Sequence, residues 1–131
     1  MDETSAVRVA IVDDSDTILK MAQEYLTEAG YEVRGYSNGF QALANIADFH
    51  PEVIFVDIDM PILDGYETIV LLRDCPDFRD TPIVVLSSKS GVFNVARGRM
   101  LGCTDYVVKP FTRHLLLNSI VKHVPRARSA A

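Results

Sequence analysis

The stretch Val53-Ile54-Phe55-Val56-Asp57-Ile58-Asp59-Met60-Pro61 joins an apolar run to a carboxylate. Its first four residues are Val, Ile and Phe, which is typical of a strand buried on both faces of a sheet. Open parallel sheets bind ligands at the carboxyl ends of their strands. Asp57 follows the run directly and is therefore a candidate reactive group.

Strands and helices alternate along the rest of the chain. Runs rich in Val and Ile, or alternating in polarity, predict further strands at 7–12, 31–36, 82–86 and 105–108. Apolar residues at helical spacing predict a weak helix at about 92–101 and four further helices. The candidate capping residues of these four are Ser15 or Asp16, then Asn38, then Asp64, which can either turn the chain or cap, and then Thr112. This alternation predicts one α/β domain, a doubly wound parallel sheet of five strands made of five β–α units.

Composition narrows the class of protein. A chain of 131 residues, 48% hydrophobic and 24% charged, fits a single globular domain and excludes a disordered one. No apolar stretch is long enough to cross a membrane, and the polar start of the chain is unlike a signal peptide. Cys75 and Cys103 match no metal-binding spacing, so we expect free thiols in a cytoplasmic protein without membrane insertion.

Charge is unevenly distributed. The net charge of −5 argues against direct DNA binding. Residues 109–131 nevertheless contain five Lys and Arg residues and no acid, so this end either docks an acidic partner or forms a solvated face. We expect the second for Arg126 and Arg128, and we predict a flexible segment 1–6, a domain 7–124 and a flexible basic tail 125–131.

Polar residues follow four of the predicted strands. They are Asp13 and Asp14 after the first strand, Asp57 after the third, Ser87 after the fourth and Lys109 after the fifth. Because the carboxyl ends of parallel strands share one edge of the sheet, we expect these side chains to gather in one pocket.

This set of side chains favours phosphoryl chemistry. Clustered carboxylates repel one another unless a cation intervenes, and an all-oxygen site with few protein ligands suits Mg²⁺. A carboxylate can attack phosphorus and form an aspartyl-phosphate. Phosphoryl transfer needs positioning and charge neutralisation, which Mg²⁺ and Lys109 can supply, while the Ser87 hydroxyl can donate a hydrogen bond to a phosphoryl oxygen.

Four segments together resemble the receiver domain of two-component response regulators, over about residues 7–124. They are Val12–Ser15, Val56–Pro61 with Asp64-Gly65, Leu86–Ser88 and Val108–Phe111. The resemblance implies the flavodoxin-like strand order 2-1-3-4-5 and identifies Asp57 as the acceptor of a phosphoryl group from a histidine kinase. It also implies a signalling protein that assists its own phosphorylation and dephosphorylation rather than an enzyme that turns over an external substrate.

The same resemblance assigns roles to the other site residues. Asp14 would bind Mg²⁺ directly with help from Asp13, and Asp57 and the backbone carbonyl of Asp59 would complete the protein ligands. Ser87 and Lys109 would contact the phosphoryl group, and a cis bond between Lys109 and Pro110 would place the lysine.

The family also implies a switch. Ser87 moves toward the phosphoryl group, Tyr106 turns from exposed to buried, and the face made by the fourth helix, the fifth strand and the fifth helix changes its partner preference. With only seven residues after position 124, we expect the output to be partner binding or phosphate relay, by a monomer or a weak dimer. We further predict that Asp59 and Lys89 pair across the mouth of the pocket and slow dephosphorylation.

Less specific stretches resemble the stand-alone regulators of type IV pilus, or twitching-motility, chemotaxis-like pathways. They are 39–43, 46–48, 86–91 with Phe93, 96–99 and 121–125. They imply a chemosensory histidine kinase upstream and a motility output.

Two other functions compete with this interpretation. Asp57-Ile58-Asp59 has the D-x-D form of haloacid-dehalogenase-type phosphatases, but it ends the third predicted strand rather than the first, and the chain has no room for a cap domain. A flavin-binding module of similar topology needs a phosphate-cradling loop after the first strand, where Asp13 and Asp14 would repel phosphate. A bound flavin would make the purified protein yellow.

Overall fold

Five parallel strands form one sheet in the computed structural model, which describes residues 5–88, 96–97 and 99–129. The strand order is β2-β1-β3-β4-β5, which confirms the predicted doubly wound, flavodoxin-like topology. The strands are β1 (Arg8–Val12), β2 (Glu32–Tyr36), β3 (Val53–Asp57), β4 (Ile83–Ser87) and β5 (Asp105–Val108).

The central strand β3 is buried on both faces, as its composition predicts. It pairs with β1 on one side and with β4 on the other. Along β3 the side chains alternate, so that Ile54 and Val56 join one apolar cluster and Val53 and Phe55 join the other. The sheet therefore separates two apolar layers, and its central strand ends at Asp57.

Helices cover both faces of this sheet. On one face lie α1 (Asp16–Glu28), α5 (Arg113–His123) and the short α6 (Pro125–Ser129), and on the other lie α2 (Gly39–Phe49) and α3 (Gly65–Asp74). A single 3-10 turn, Pro76–Phe78, follows α3. Among the described residues, no helix has the length and apolar character that a membrane crossing requires.

Helix starts follow the predicted capping residues. The side chains of Ser15, Asn38, Asp64 and Thr112 each accept a hydrogen bond from the backbone N–H three residues later. At Asp64 the contact is reciprocal, since the Glu67 carboxylate accepts a hydrogen bond from the Asp64 backbone N–H. These polar starts lie at the carboxyl edge of the sheet, where the candidate site residues also lie.

The predicted helix at about 92–101 is described only in part. Residues 96, 97, 99 and 100 are helical, and we label this segment α4. Gly102, just beyond it, has a φ of 109°, which favours glycine, and its carbonyl accepts a hydrogen bond of 2.8 Å from Arg73 Nε. Arg73 thus ties the end of α4 to α3.

The prediction of a flexible basic tail is wrong for residues 125–129. They form α6, in which Ala127 is buried in the same apolar cluster as α1 and α5. The Arg126 guanidinium donates hydrogen bonds of 2.7 and 3.0 Å to the two carboxylate oxygens of Glu52, and others to the carbonyls of Ser5 and Ala6. Residues 1–4, 130 and 131 lie outside the described residues, so the rest of the predicted division stays a prediction.

The basic end of the chain neutralises acids of its own domain. Arg113 contacts Glu28 at 2.9 Å on the exposed surface, and Lys122 lies 3.5 Å from Asp105. Arg128, for which we expected a solvated position, donates to the carbonyls of α5 residues Val121 and Lys122. Several basic residues near the end of the chain are therefore engaged in contacts within the fold.

We expect Arg126→Ala to lower the free energy of unfolding by about 1–2 kcal/mol, because it removes charge-assisted hydrogen bonds that join α6 to the segments before β1 and β3. Urea unfolding followed by circular dichroism measures the change. Lys122→Ala is the matched control, since an exposed ion pair such as the one with Asp105 contributes at most about 1 kcal/mol and typically about half of that. Equal stability of the two variants would contradict a stabilising role for the α6 contacts.

Candidate functional site

Asp57 ends β3 and is almost completely buried, with 2% of its surface exposed. Its Oδ1 accepts a hydrogen bond of 3.2 Å from the backbone N–H of Asp59. The pKa of Asp57 is raised to about 6, because burial and, to a smaller extent, the neighbouring Asp13 carboxylate outweigh the lowering effects of the Asp59 N–H and the Lys109 ammonium. At neutral pH the group is therefore mostly ionised despite its burial.

Two further carboxylates follow β1 and meet Asp57, as predicted. Asp13 is fully buried, and its Oδ1 accepts a hydrogen bond of 2.9 Å from the Ser15 backbone N–H. Asp14 is exposed. One carboxylate oxygen from each of Asp13, Asp14 and Asp57 lies within 4.8 Å of the others. The cluster is thus buried on one side and open to solvent on the other.

Lys109 follows β5 and reaches across the sheet edge to two of these acids. Its Nζ lies 2.8 Å from Asp13 Oδ2 and 3.3 Å from Asp57 Oδ1. Burial is the largest single influence on the pKa of Lys109 and lowers it, but the contacts with Asp13 and Asp57 together outweigh burial and raise that pKa. The Lys109–Pro110 bond is cis, as the resemblance implied.

Ser87 ends β4 beside Asp57. The residue before it, Leu86, is opposite Asp57 in the register of β3 and β4, and Ser87 itself is fully buried. Its carbonyl accepts a hydrogen bond of 2.7 Å from the backbone N–H of Lys109. The ends of β4 and β5 are therefore joined at the point where Ser87 and Lys109 leave them.

Of the two predicted modulators of dephosphorylation, Asp59 and Lys89, the structure describes Asp59. Asp59 is exposed at the open side of the site. Lys89 lies outside the described residues, so the predicted pair of Asp59 and Lys89 stays a prediction.

Tyr106 lies on β5, is partly buried and packs against the apolar cluster of α2 and α3, while its predicted role in a switch stays a prediction. Its neighbour Tyr66, in the first turn of α3, is buried, and the Arg97 guanidinium of α4 stacks on the Tyr66 ring at 4.4 Å from the centroid. The sequence analysis missed this contact, because an aromatic residue and an arginine 31 positions apart carry no local signal for it.

The loop between β3 and α3 folds back on Asp57. The backbone N–H of Gly65 donates a hydrogen bond of 3.3 Å to the carbonyl of Ile58. A Cβ atom on Gly65 would lie 2.3 Å from the Asp57 carbonyl oxygen, so no other residue fits there without movement. In the sequence Gly65 is only part of the family pattern, and the structure adds that it packs on the backbone of Asp57.

The donor set suits a hard divalent cation. All three clustered side chains offer carboxylate oxygens, and Lys109 neutralises only part of their charge. The exposed Asp14 leaves one side open to water and to phosphoryl oxygens, which is the arrangement in which Mg²⁺ keeps part of its hydration shell. The site thus combines a buried carboxylate that could act as a nucleophile, an ammonium group and carboxylates able to hold Mg²⁺.

Known proteins share this fold and sequence pattern. A family model described as the response regulator receiver domain matches residues 9–121. Protein PilG of Pseudomonas aeruginosa is 46% identical over 123 residues, which cover 94% of this chain and 91% of PilG. Transcriptional regulatory protein PrrA of Mycobacterium leprae is 37% identical over 126 residues, and the chain spans 53% of that relative. The crystal structure of chemotaxis protein CheY4 of Vibrio cholerae matches with a TM-score of 0.88 and 32% identity, covering 91% of this chain and 99% of CheY4.

We expect Asp57→Asn to stabilise the metal-free protein at about pH 7.5, by about 2–3 kcal/mol. The folded pKa of about 6 exceeds the ordinary value of 3.8, so the folded state binds the proton more tightly than the unfolded chain does. Protonation of Asp57 therefore stabilises the folded state fully below about pH 4, and this stabilisation is lost as the pH rises through about 6.

Urea unfolding in EDTA at about pH 7.5 and at about pH 4 tests this. The higher stability of Asp57→Asn should be present at about pH 7.5 and absent at about pH 4. Asp48→Asn, on the exposed surface of α2, controls for loss of a carboxylate and should change stability by less than about 0.5 kcal/mol. A stability gain for Asp57→Asn that is the same at both pH values would contradict the raised pKa.

Proposed function

The chain belongs to the response regulator receiver domain family, and on this premise we propose that Asp57 accepts a phosphoryl group from a histidine kinase in a phosphorelay. One observation carries the proposal. The buried Asp57 carboxylate lies 3.3 Å from Lys109 Nζ, in a cluster with the carboxylates of Asp13 and Asp14. A carboxylate that can accept a phosphoryl group, an ammonium group and two further carboxylates at one edge of the sheet suit the phosphoryl transfer that the family performs.

The proposed transfer is a single displacement at phosphorus. An Asp57 carboxylate oxygen attacks the phosphorus of a phosphohistidine, a P–O bond forms as the P–N bond breaks, and the departing imidazole keeps the electron pair and takes a proton from solvent. The Lys109 ammonium stabilises the negative charge on the phosphoryl oxygens, and the Ser87 hydroxyl donates a hydrogen bond to one of them. Asp57 is ready for attack at neutral pH because its pKa of about 6 leaves it mostly ionised.

Asp13, Asp14, Asp57 and the backbone carbonyl of Asp59 are the proposed Mg²⁺ ligands. When bound, Mg²⁺ neutralises charge on the transferring phosphoryl group. Asp13 already accepts a hydrogen bond from Lys109, whereas Asp14 faces solvent, which supports direct binding by Asp14 and a supporting role for Asp13. The ion also relieves the repulsion between carboxylates that would otherwise oppose the ionised site.

The proposed output is a change in partner binding at the face of α4, β5 and α5. Ser87 and Tyr106 are the proposed switch residues that connect this face to Asp57. Each of its three elements presents an exposed apolar side chain, namely Met100 on α4, Val108 on β5 and Leu115 on α5. Exposed apolar residues on neighbouring elements at a sheet edge are typical of a protein-binding surface.

The similarity to PilG supports a specific cellular role. We propose a chemotaxis-type histidine kinase as the donor and control of type IV pilus motility as the output, in the cytoplasm and without direct DNA binding. The chain would act as a monomer or weak dimer that assists its own phosphorylation and dephosphorylation and turns over no external substrate.

We expect one added phosphoryl group on the intact protein after incubation with acetyl phosphate and Mg²⁺, measured by mass spectrometry. Excess EDTA, Asp57→Asn and Asp14→Asn should each abolish or strongly reduce the adduct, whereas Asp16→Asn, an exposed acid in the first turn of α1, should label like the wild type. Steady release of phosphate without an adduct would favour a phosphatase instead, and an adduct in Asp57→Asn would exclude Asp57 as the acceptor.

We also expect Lys89→Ala to dephosphorylate faster than the wild type, because a pair between Asp59 and Lys89 would hinder the attacking water. The effect should be small, about two- to fivefold, since an exposed ion pair contributes at most about 1 kcal/mol. Decay of the phosphorylated protein after removal of the donor measures it. An unchanged decay rate in both Lys89→Ala and Asp59→Ala would show that this pair does not protect the phosphoryl group.

A further inference from the structure

The tip of the loop between β3 and α3 carries an apolar side chain on a strained backbone. Ile62 has a φ of 68°, in the left-handed region, and 89% of its surface is exposed. A β-branched residue is disfavoured in this conformation, because its Cβ crowds the backbone. Ile62 thus has an unfavourable backbone conformation and gains almost no burial in return, a combination that points to a function outside the fold.

This tip is held close to the phosphoacceptor. The loop starts at Asp57 and returns to it, because Gly65 packs on the Asp57 carbonyl and donates a hydrogen bond to Ile58. Within the loop, the Leu63 backbone N–H donates a hydrogen bond of 2.8 Å to the Pro61 carbonyl, which tightens the turn around Ile62. Ile62 is therefore presented at the same edge of the sheet as the acceptor carboxylate.

A second exposed apolar residue lies beside this loop. Phe40, in the first turn of α2, is 58% exposed. Its neighbour Gly39 packs against Leu63, since a Cβ atom on Gly39 would lie 2.8 Å from Leu63 Cδ2. Ile62 and Phe40 therefore flank one buried contact, and together they define an apolar site that we call the loop–α2 patch.

The surroundings of the loop–α2 patch are acidic. Glu67 is exposed in the first turn of α3. Asp14 and Asp59 are exposed on the β1–α1 and β3–α3 loops, and in the proposed function Mg²⁺ and Lys89 offset part of their charge. A complementary partner surface would therefore carry an apolar side chain with basic side chains around it. A donor protein must bring its phosphohistidine to Asp57 across this edge, whereas a small donor can reach Asp57 without touching the patch.

We propose that the loop–α2 patch is a docking contact for the phosphohistidine-bearing domain of the donor protein, with Ile62 as the main apolar anchor. This inference rests on the proposed function, since it presupposes a protein donor. It goes beyond the chemistry of transfer, because it concerns which donor is accepted rather than how phosphorus is attacked. The strain at Ile62 then serves to present the side chain to the donor.

The test compares two donors on the same variants. Phosphotransfer from each histidine kinase of the organism to the wild-type chain identifies the kinase that transfers fastest, and that phosphorylated kinase is the protein donor; acetyl phosphate is the small donor. Ile62→Asn removes the apolar side chain and suits the left-handed backbone. We expect it to slow transfer from the kinase about tenfold or more, as burial of one aliphatic side chain predicts, and to leave labelling by acetyl phosphate unchanged.

Three comparisons make the result specific. Ile62→Leu keeps an apolar side chain and should retain transfer within about threefold of the wild type. Leu71→Asn, an exposed apolar residue further along α3, should leave transfer unchanged. Urea unfolding should show that Ile62→Asn is at least as stable as the wild type, because asparagine tolerates the left-handed conformation. Slower transfer to Ile62→Asn could then not be attributed to unfolding of the variant.

Each contrary result has a distinct meaning. Wild-type transfer from the kinase to Ile62→Asn would overturn the docking proposal while leaving phosphorylation of Asp57 intact. A parallel loss with acetyl phosphate would overturn it as well, by showing that Ile62 acts on the geometry of Asp57. If the wild type accepted phosphoryl groups from neither donor, the proposed function itself would fail, and the docking proposal with it.

Discussion

The contact of the Lys109 ammonium with the carboxylates of Asp13 and Asp57 is the interaction on which the rest of the site depends. It joins the ends of β1, β3 and β5, which are far apart in sequence and neighbours only through the sheet. Two buried carboxylates side by side would otherwise repel each other and lose their charge. The Lys109 ammonium lowers the pKa of Asp57 and so favours its ionised form near neutral pH, and the same side chain joins the strands at this edge of the sheet.

The carboxyl and amino edges of the sheet differ in how far their acidic side chains are neutralised. At the carboxyl edge, Asp13, Asp14 and Asp57 concentrate negative charge that the fold only partly neutralises. At the amino edge, the acid Glu52 is satisfied by Arg126 and Arg8. Groups that act on a ligand must keep some of their charge available, whereas groups that hold the chain together need not. The same residue types thus leave charge available at one edge and stabilise the fold at the other.

Much of this arrangement could be predicted from the sequence, because it depends on local patterns. Caps such as Asn38 and Thr112 act within three residues, and the convergence of Asp57 and Lys109 follows from the rule that parallel strands end at one edge. What could not be predicted depends on distant pairs or on the conformation of single residues. The α6 helix needs Glu52, 74 positions before Arg126, and nothing in the sequence around Ile62 indicates its positive φ.

The hydrogen bonds from Arg126 to the carbonyls of Ser5 and Ala6 also have a consequence for the path of the chain. It brings the segment before β1 and the helix after α5 together at the edge opposite Asp57. A short linker could therefore join these two segments, and the chain could be reopened in an exposed loop, to make a circular permutant with an undisturbed acceptor. A fluorophore or a solid support attached near Arg126 would likewise leave the carboxyl edge of the sheet, with Asp57, accessible.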